Sequence, residues 1–232
     1  GVDIVGLCEV ENEQCVSDLC TTMRRFDYQY IHFDSPDKRG IDVALLYRPT
    51  FRLLNTYPIL IPLTDGETTR DILYASGIIH HGDTLHLFLC HLPSQLGGAA
   101  ATEWKRTIAV SILQQRIGSI CTLSPNAKII VMGDMNATPK ENIRSLHNIM
   151  LEQPKDSDTP SGTHKYQGRW SFLDQFYLSD ALLDTKAVQV YSASYLLEDD
   201  TRYLDVKPRR TYIGYRYQPA YSDHLPIVLT IR

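Results

Sequence analysis

Long hydrophobic runs are missing from this 232-residue chain, and so is any clustering of cysteine. No stretch approaches the roughly 18 consecutive apolar residues that a membrane-spanning helix needs. The first residues lack the basic and apolar regions of a secretory signal, so any targeting segment lies outside this sequence. Cys8, Cys15, Cys20, Cys90 and Cys121 form no CxxC pair, which argues against a zinc cluster, and their odd number leaves at least one without an intrachain partner. Reduced thiols in a core are the favoured reading, with a disulfide as the alternative. A net charge of −4 excludes a whole-surface attraction to polyanions, so nucleic-acid contact would have to come from local patches or a bound metal. With no internal repeat, low-complexity tract or shift in composition, residues 1–232 read as one domain, long enough to bury a sizeable core.

What the chain does have is strand-length apolar or alternating runs: VDIVGLC, YQYIHF, DVALLYR, FRLLNTY, ILYASGIIH, TLHLFLC, KIIVMG, SFLDQFYLS and PIVLTI. Helical spacing of Trp104, Ile108, Ile112, Leu113, Ile117 and Ile120 predicts a helix over 102–123, capped by Thr102 and ended by Ser124-Pro125. A second helix fits 12–25, with Asn12 as N-cap and Val16, Leu19, Cys20 and Met23 facing inward. Residues 152–169 and 198–223 read as long loops, and loops of that length are more often functional than merely connecting. Trp104 and most tyrosines read as core or half-buried strand positions.

Four stretches place acids, amides or imidazoles at the ends of apolar strands: GLCEVEN, LFLCHLPS, VMGDMNATP and PAYSDHLPIV. A fifth, SFLDQFYLS, sets Asp174 within a strand. Taken singly, each has a structural explanation: Glu9 as a surface acid, His91 as a core histidine, Asp134 and Asn136 as turn formers, Asp223 as a cap. Together they are the inventory that hard-cation phosphoryl chemistry needs. Glu9 and Asp223 suit Mg²⁺ (or Mn²⁺), which is held by one or two carboxylates plus substrate phosphate. Asp134, Asn136, His91 and His224 are candidates for proton transfer and for stabilising the phosphoryl oxygens. Asp174, costly if unpaired in a strand, is expected to orient His224, and Asp71 is a weaker candidate partner for His91.

The order LCEVEN, RGIDVALLYR, TRDILY, HLPSQLGG, GDMNATP, LDQFYLS and SDHLPIV resembles the endonuclease/exonuclease/phosphatase superfamily, the deoxyribonuclease I-like fold, over nearly the whole chain. The resemblance implies an α/β four-layer sandwich: two mixed β-sheets face to face with helices outside, and the site at their shared edge. It also implies Glu9 as principal metal ligand and Asp223 as a second metal-associated carboxylate. Asp134 would position or activate water, and Asn136 would hold a phosphate oxygen. His91 would assist at the phosphate or as an acid, His224 would act as base or phosphate contact, and Asp174 would orient it. Arg70 and Asp71 match a weaker motif, Arg70 read as a substrate contact and Asp71 as support; Arg39 and Asp42 are expected to be mostly structural.

The implied activity is divalent-metal-dependent hydrolysis of phosphate esters, by a phosphodiesterase or nuclease. Alternatives are a phosphatase or phosphodiesterase of a sugar, nucleotide or lipid-headgroup phosphate, and a non-catalytic binding module on the same scaffold. Arg209, Arg210 and Arg216, interleaved with Tyr212, Tyr215, Tyr217 and Tyr221, form a mixture able to grip phosphates and stack on bases or rings, while Lys155, Lys165 and Arg169 read equally as phosphate contacts or solvated loop residues. Members of the superfamily usually begin with an earlier strand carrying an asparagine beside the metal-binding glutamate. GVDIVGLCEVEN therefore reads as a second strand of an N-terminally incomplete domain, with an exposed edge that promotes self-association. A version longer by about 30 residues, one strand and its connection, is expected to bind Mg²⁺ more tightly and turn over faster.

Overall fold

The computed structural model describes residues 2–64, 66–139, 143, 146–152 and 160–231. The chain runs β1 (Ile4–Val10), α1 (Glu13–Thr22), β2 (Gln29–His32), β3 (Asp42–Tyr47), β4 (Arg52–Ile59), β5 (Ile72–Ile78), β6 (Thr84–His91), α2 (Ala99–Leu123) and β7 (Lys128–Asp134). It continues through β8 (His147–Asn148), β9 (His164–Tyr166), β10 (Arg169–Ser171), β11 (Asp174–Leu178) and β12 (Lys186–Val190). Last come β13 (Leu197–Asp200), β14 (Asp205–Pro208), β15 (Tyr212–Ile213), β16 (Arg216–Tyr217) and β17 (Ile227–Ile231).

The larger sheet has the order β4-β5-β6-β7-β11-β8 and is mixed, because β6 and β7 run parallel while its other pairs are antiparallel. The crossover between β6 and β7 is α2, as a parallel connection requires. The smaller sheet, β1-β3-β2, is antiparallel throughout, and β12 pairs with β17 apart from it. Among the described strands, β1 has a neighbour on one side only.

Alternation along the strands explains why so many runs are apolar at every position. In β3, Val43, Leu45 and Tyr47 enter a core shared with Leu73, Ala75, Leu87, Leu89, Ile130 and Met132 of the larger sheet. Ala44 and Leu46, on the other face, pack with Val16 of α1. In the larger sheet, Phe88, Cys90, Ile129 and Val131 face away from the smaller one, onto Ala109, Leu113 and Ile117 of α2. A strand covered on both faces has no polar position to reveal its period.

Both helices depart from their sequence reading. Helix α2 begins at Ala99 with Gly98 as N-cap and no side-chain cap; the Thr102 hydroxyl instead donates back to Gly98 O at 3.0 Å. Trp104, expected to face inward, is exposed, and the buried stripe includes Arg106, whose guanidinium donates to Pro93 O, Ser94 O and Ala99 O and so fastens the loop after β6. In α1, Asn12 accepts from Cys15 N at 3.0 Å as N-cap, but Leu19 is exposed. The described residues of the segments read as long loops form parts of the hairpins β9–β10, β13–β14 and β15–β16. All five cysteines are free thiols. Cys8 donates to Cys90 O, while the Cys90 side chain packs with the α2 cluster, on the opposite face of β6 from Leu89, so the two thiols are not arranged to bridge.

Candidate active site

Three strands deliver three side chains to one rung. His91 ends β6 opposite Asp134, which ends β7, and Asp134 lies opposite Asp174, which starts β11. Each continues the row of side chains facing the smaller sheet, after Leu89, Met132 and Phe176. The close approach of β6 and β7 there depends on Gly133, whose φ is +126° and where a Cβ would stand 2.0 Å from Cys90 O.

Asp134 is buried and tightly held. Asn136, in the left-handed region at φ 47°, donates its backbone N–H to Asp134 Oδ1 at 2.7 Å, and its Nδ2 donates to Asp134 Oδ2 at 3.1 Å and Leu92 O at 2.9 Å. Asparagine tolerates that conformation better than most residues. The amide expected to hold a phosphate oxygen is thus engaged in orienting Asp134. Burial first, then the charge of Asp174, pushes the Asp134 carboxyl up to about 7, against the pull of His224, the Asn136 N–H and Arg70.

The SDHLP segment brings in His224, whose Nδ1 pairs with Asp174 Oδ2 at 2.7 Å. Burial opposes the imidazolium, but the hydrogen bond and charge of Asp174, with Asp134 and Asp223, outweigh it and raise the group to about 9. His91 goes the other way: burial, then the charges of Arg70, Arg39 and His224, hold it near 3, a neutral imidazole. Its Nε2 is 3.6 Å from Asp134 Oδ2, and its Nδ1 is buried without a hydrogen-bond partner.

Glu9 stands at a bulge of β1, where the pairing with β3 shifts between Cys8 and Val10, and its φ is 58°. A bulge and a left-handed glutamate are costly local features that re-aim a side chain at a strand end. The neighbouring Cys8 thiol lies close enough to Asp134 and Asp174 to feel both charges, which puts this end of β1 beside the rung. Asp223 offers a carboxylate oxygen within 4.8 Å of ring nitrogens of His164 and His224. Neither the Glu9 nor the Asp223 side chain has a hydrogen-bond partner among the described residues.

Arg70 and Asp71 depart from their expected roles. Arg70 is buried, with Nε donating to His91 O at 3.1 Å, Nη1 to Asp37 at 2.8 Å and Nη2 to Leu92 O at 2.7 Å. It braces the end of β6 instead of facing a substrate. Asp71 makes no hydrogen bond to His91, although continuing the β5–β6 register beyond Leu73↔Leu89 sets the two opposite each other. Its Oδ1 is buried without a partner, and burial, then the charge of Asp42, raises the carboxyl to about 6. Lys165, read as a loop cation, is buried against Asp205 and Asp200 at 2.6 and 3.4 Å. Arg39, expected to be structural, pairs with Asp37 at 3.5 Å, and Asp42 accepts from Ser35 and His32. Arg209 is exposed and Arg210 partly so; Lys155 lies outside the described residues.

Two residues of the site escaped the sequence reading. His164 bridges to His224 through the backbone, its ring 4.8 Å from that of His224, and burial and the His224 charge lower it to about 4. Thr163, fully buried, accepts at Oγ1 from the N–H groups of Leu173 and Asp174, both at 3.2 Å, and its carbonyl accepts from Leu225 N at 2.7 Å. One residue thereby holds the backbone at Asp174 and at Leu225, the neighbour of His224. Thr163 and His164 lie in a short polar hairpin, where no hydrophobic period marks a strand.

A carboxyl pushed up to about 7 beside a paired imidazolium, with carboxylates of Glu9 and Asp223 available, is a set of groups suited to metal-assisted phosphoryl chemistry. The chain belongs to the Endonuclease/Exonuclease/phosphatase family, whose sequence profile matches residues 1–232, and with it to the metal-dependent hydrolases of phosphate esters. A search of curated proteins finds no match. Among solved structures, truncated TDP2 of Caenorhabditis elegans superposes with a TM-score of 0.64 at 18% identity, covering 98% of this chain and 82% of that one. The human Nocturnin catalytic domain gives 0.63 at 19%, covering 98% and 81%. ANGEL2, a 2′,3′-cyclic phosphatase, gives 0.62 at 12%, covering 82% and 72%. At such identities the structural likeness establishes the fold alone.

Proposed function

We propose that the chain is a phosphodiesterase in which Asp134 takes the proton from an attacking water while the His224 imidazolium stabilises the phosphoryl oxygens. The observation that carries this reading is the 2.7 Å Asp174–His224 pair beside Asp134, which keeps a half-buried cation next to a buried carboxyl of pKa about 7. A base near neutrality is efficient at neutral pH, and a preformed cation needs little reorganisation as charge builds on phosphorus. Asp174 fixes the tautomer, leaving His224 Nε2–H for the phosphate. Asn136 orients Asp134, and neutral His91 borders the same carboxylate.

Glu9 and Asp223 suit a hard divalent cation, Mg²⁺ or Mn²⁺: both are carboxylates free of hydrogen-bond partners among the described residues, and Glu9 stands at a strained bulge next to Cys8. Such an ion would neutralise charge on the phosphoryl oxygens. Arg209 and Arg210 are the basic side chains available to a substrate phosphate. Incubation with Mg²⁺ and plasmid, single-stranded DNA, RNA or a bis-aryl phosphate is expected to give turnover of at least one, together with saturable Mn²⁺ binding that Glu9→Ala abolishes. Inertness toward all four, or metal binding indifferent to Glu9, overturns the reading.

A further inference from the structure

Tyrosine is usually half-buried, yet Tyr191, Tyr195 and Tyr221 are 42, 50 and 56% exposed. They form a connected row: the Tyr191 and Tyr195 rings meet edge-on at 6.5 Å with their hydroxyls 3.3 Å apart, and Tyr195 meets Tyr221 at 5.5 Å. The row is fastened to the catalytic segment. Tyr191 N donates to Pro226 O at 2.7 Å, Tyr221 N donates to Arg209 O at 3.1 Å, and Tyr221 stands two residues before Asp223.

The segment that leads into Tyr221 is basic, although the strand after Tyr195, which pairs with it, carries Glu198, Asp199 and Asp200. Between Val206 and Tyr221 the chain carries Lys207, Arg209, Arg210 and Arg216 and no acidic residue. Lys207 pairs with Glu198, whereas the three arginines have no acidic partner among the described residues. The charge of Arg210 is felt at His164, whose ring lies 4.8 Å from that of His224, so the basic strip approaches that side of the site. Exposed aromatic faces interleaved with unpaired arginines suit a chain of bases joined by phosphates, since every base has a face to stack and every linkage a charge to meet. A duplex offers the phosphates but keeps its bases stacked on one another.

We infer that Tyr191, Tyr195 and Tyr221, flanked by Arg209 and Arg210, form a docking surface for single-stranded nucleic acid leading into the candidate active site. The inference rests on the phosphodiesterase reading and names its substrate class: a single strand that continues beyond the bond that is cut.

The test is fluorescence anisotropy with a labelled twelve-nucleotide oligothymidylate in EDTA, so that binding is read without cleavage. Tyr195→Ala with Tyr221→Ala is expected to weaken binding at least about tenfold, the loss that one stacked base implies, while Tyr221→Trp keeps it. Arg209→Ala with Arg210→Ala should flatten the logarithmic salt dependence by about 1.4, two phosphates' worth for a single strand. A 5-iodouridine strand should crosslink to Tyr195 or Tyr221, a readout that needs no variant. Binding indifferent to the double tyrosine variant, crosslinks confined elsewhere, or a duplex bound as tightly as the single strand overturns the inference and points to a protein or small-molecule occupant. Turnover of the bis-aryl phosphate by the unaltered chain tests the underlying reading separately: strand binding without turnover removes the catalytic reading alone, and turnover without tyrosine-dependent binding removes this surface alone.

Discussion

Strands β5 to β7 and the hairpins that follow residue 160 differ in where their side chains go. In β5 to β7 nearly every residue is buried, apolar on both faces, and the polar groups that matter stand only at the strand ends. After residue 160 the strands are short, most tyrosines are exposed, and order comes from individual polar anchors such as Thr163 and the pairing of buried Lys165 with exposed Asp205. The first region fixes His91 and Asp134 by packing, which is stiff. The second brings His224 and Asp223 to them through a handful of hydrogen bonds, each of which a single substitution can remove. Site geometry should therefore be easier to loosen from the C-terminal side than from the sheet.

The largest effect is expected where the two regions meet. Asp134→Ala or His224→Ala should lower kcat by at least about a thousandfold with a small change in thermal midpoint, because each is proposed to act on the transition state. A modest kinetic loss at both positions removes them from the mechanism. Asp174→Asn should cost about a hundredfold and also move a titration. The carboxylate raises the folded His224 pKa to about 9, so the imidazolium is complete well below that pH and is lost as pH rises through it. Without the charge, the falling limb of the pH–rate profile is expected to shift to lower pH; an unmoved limb assigns it to another group.

Thr163→Val keeps the shape of the side chain and deletes the acceptor shared by Leu173 and Asp174, leaving two amide donors unpaired. About tenfold in kcat and about 1–2 kcal/mol of stability are expected, with Thr163→Ser restoring both. If the pH–rate profile stays unaltered while stability falls, Thr163 is structural only. The smallest effect lies on the sheet side. Folding raises Asp71 from 3.8 to about 6, so the folded state favours the protonated acid. Its destabilisation is absent below the unfolded pKa, grows as pH rises toward 6 and is complete above it. Asp71→Asn should leave the thermal midpoint unchanged near pH 4 and raise it by about 4 °C at pH 7.5, from about 1–2 kcal/mol. Equal offsets at both pH values would mean that Asp71 is not a strained acid.

The apolar runs identified the strands from β1 to β7, and β11 and β17, because burial leaves a period or a continuous run that survives in one dimension. The start of α2 was three residues off because Gly98 caps it with backbone geometry and no side chain marks the place. Arg70 read as a substrate contact from its match to a weak motif, which carries no information on burial, whereas its guanidinium is enclosed by Asp37 and two carbonyls. Tyr47, Tyr74 and Tyr177 are buried as read, but Tyr166, Tyr191, Tyr195 and Tyr203 line the surface, since an aromatic ring fits either environment and only its neighbours decide.

By itself the sequence determined the family, the order of the long strands, and which ionisable residues stand at strand ends, since those follow from residue type and local period. Tertiary structure alone decided that His91, Asp134 and Asp174 share a rung, that Thr163 and His164 belong with them, and which imidazole is neutral and which charged. Register, burial and the sum of surrounding charges are properties of residues distant along the chain, and no local pattern carries them.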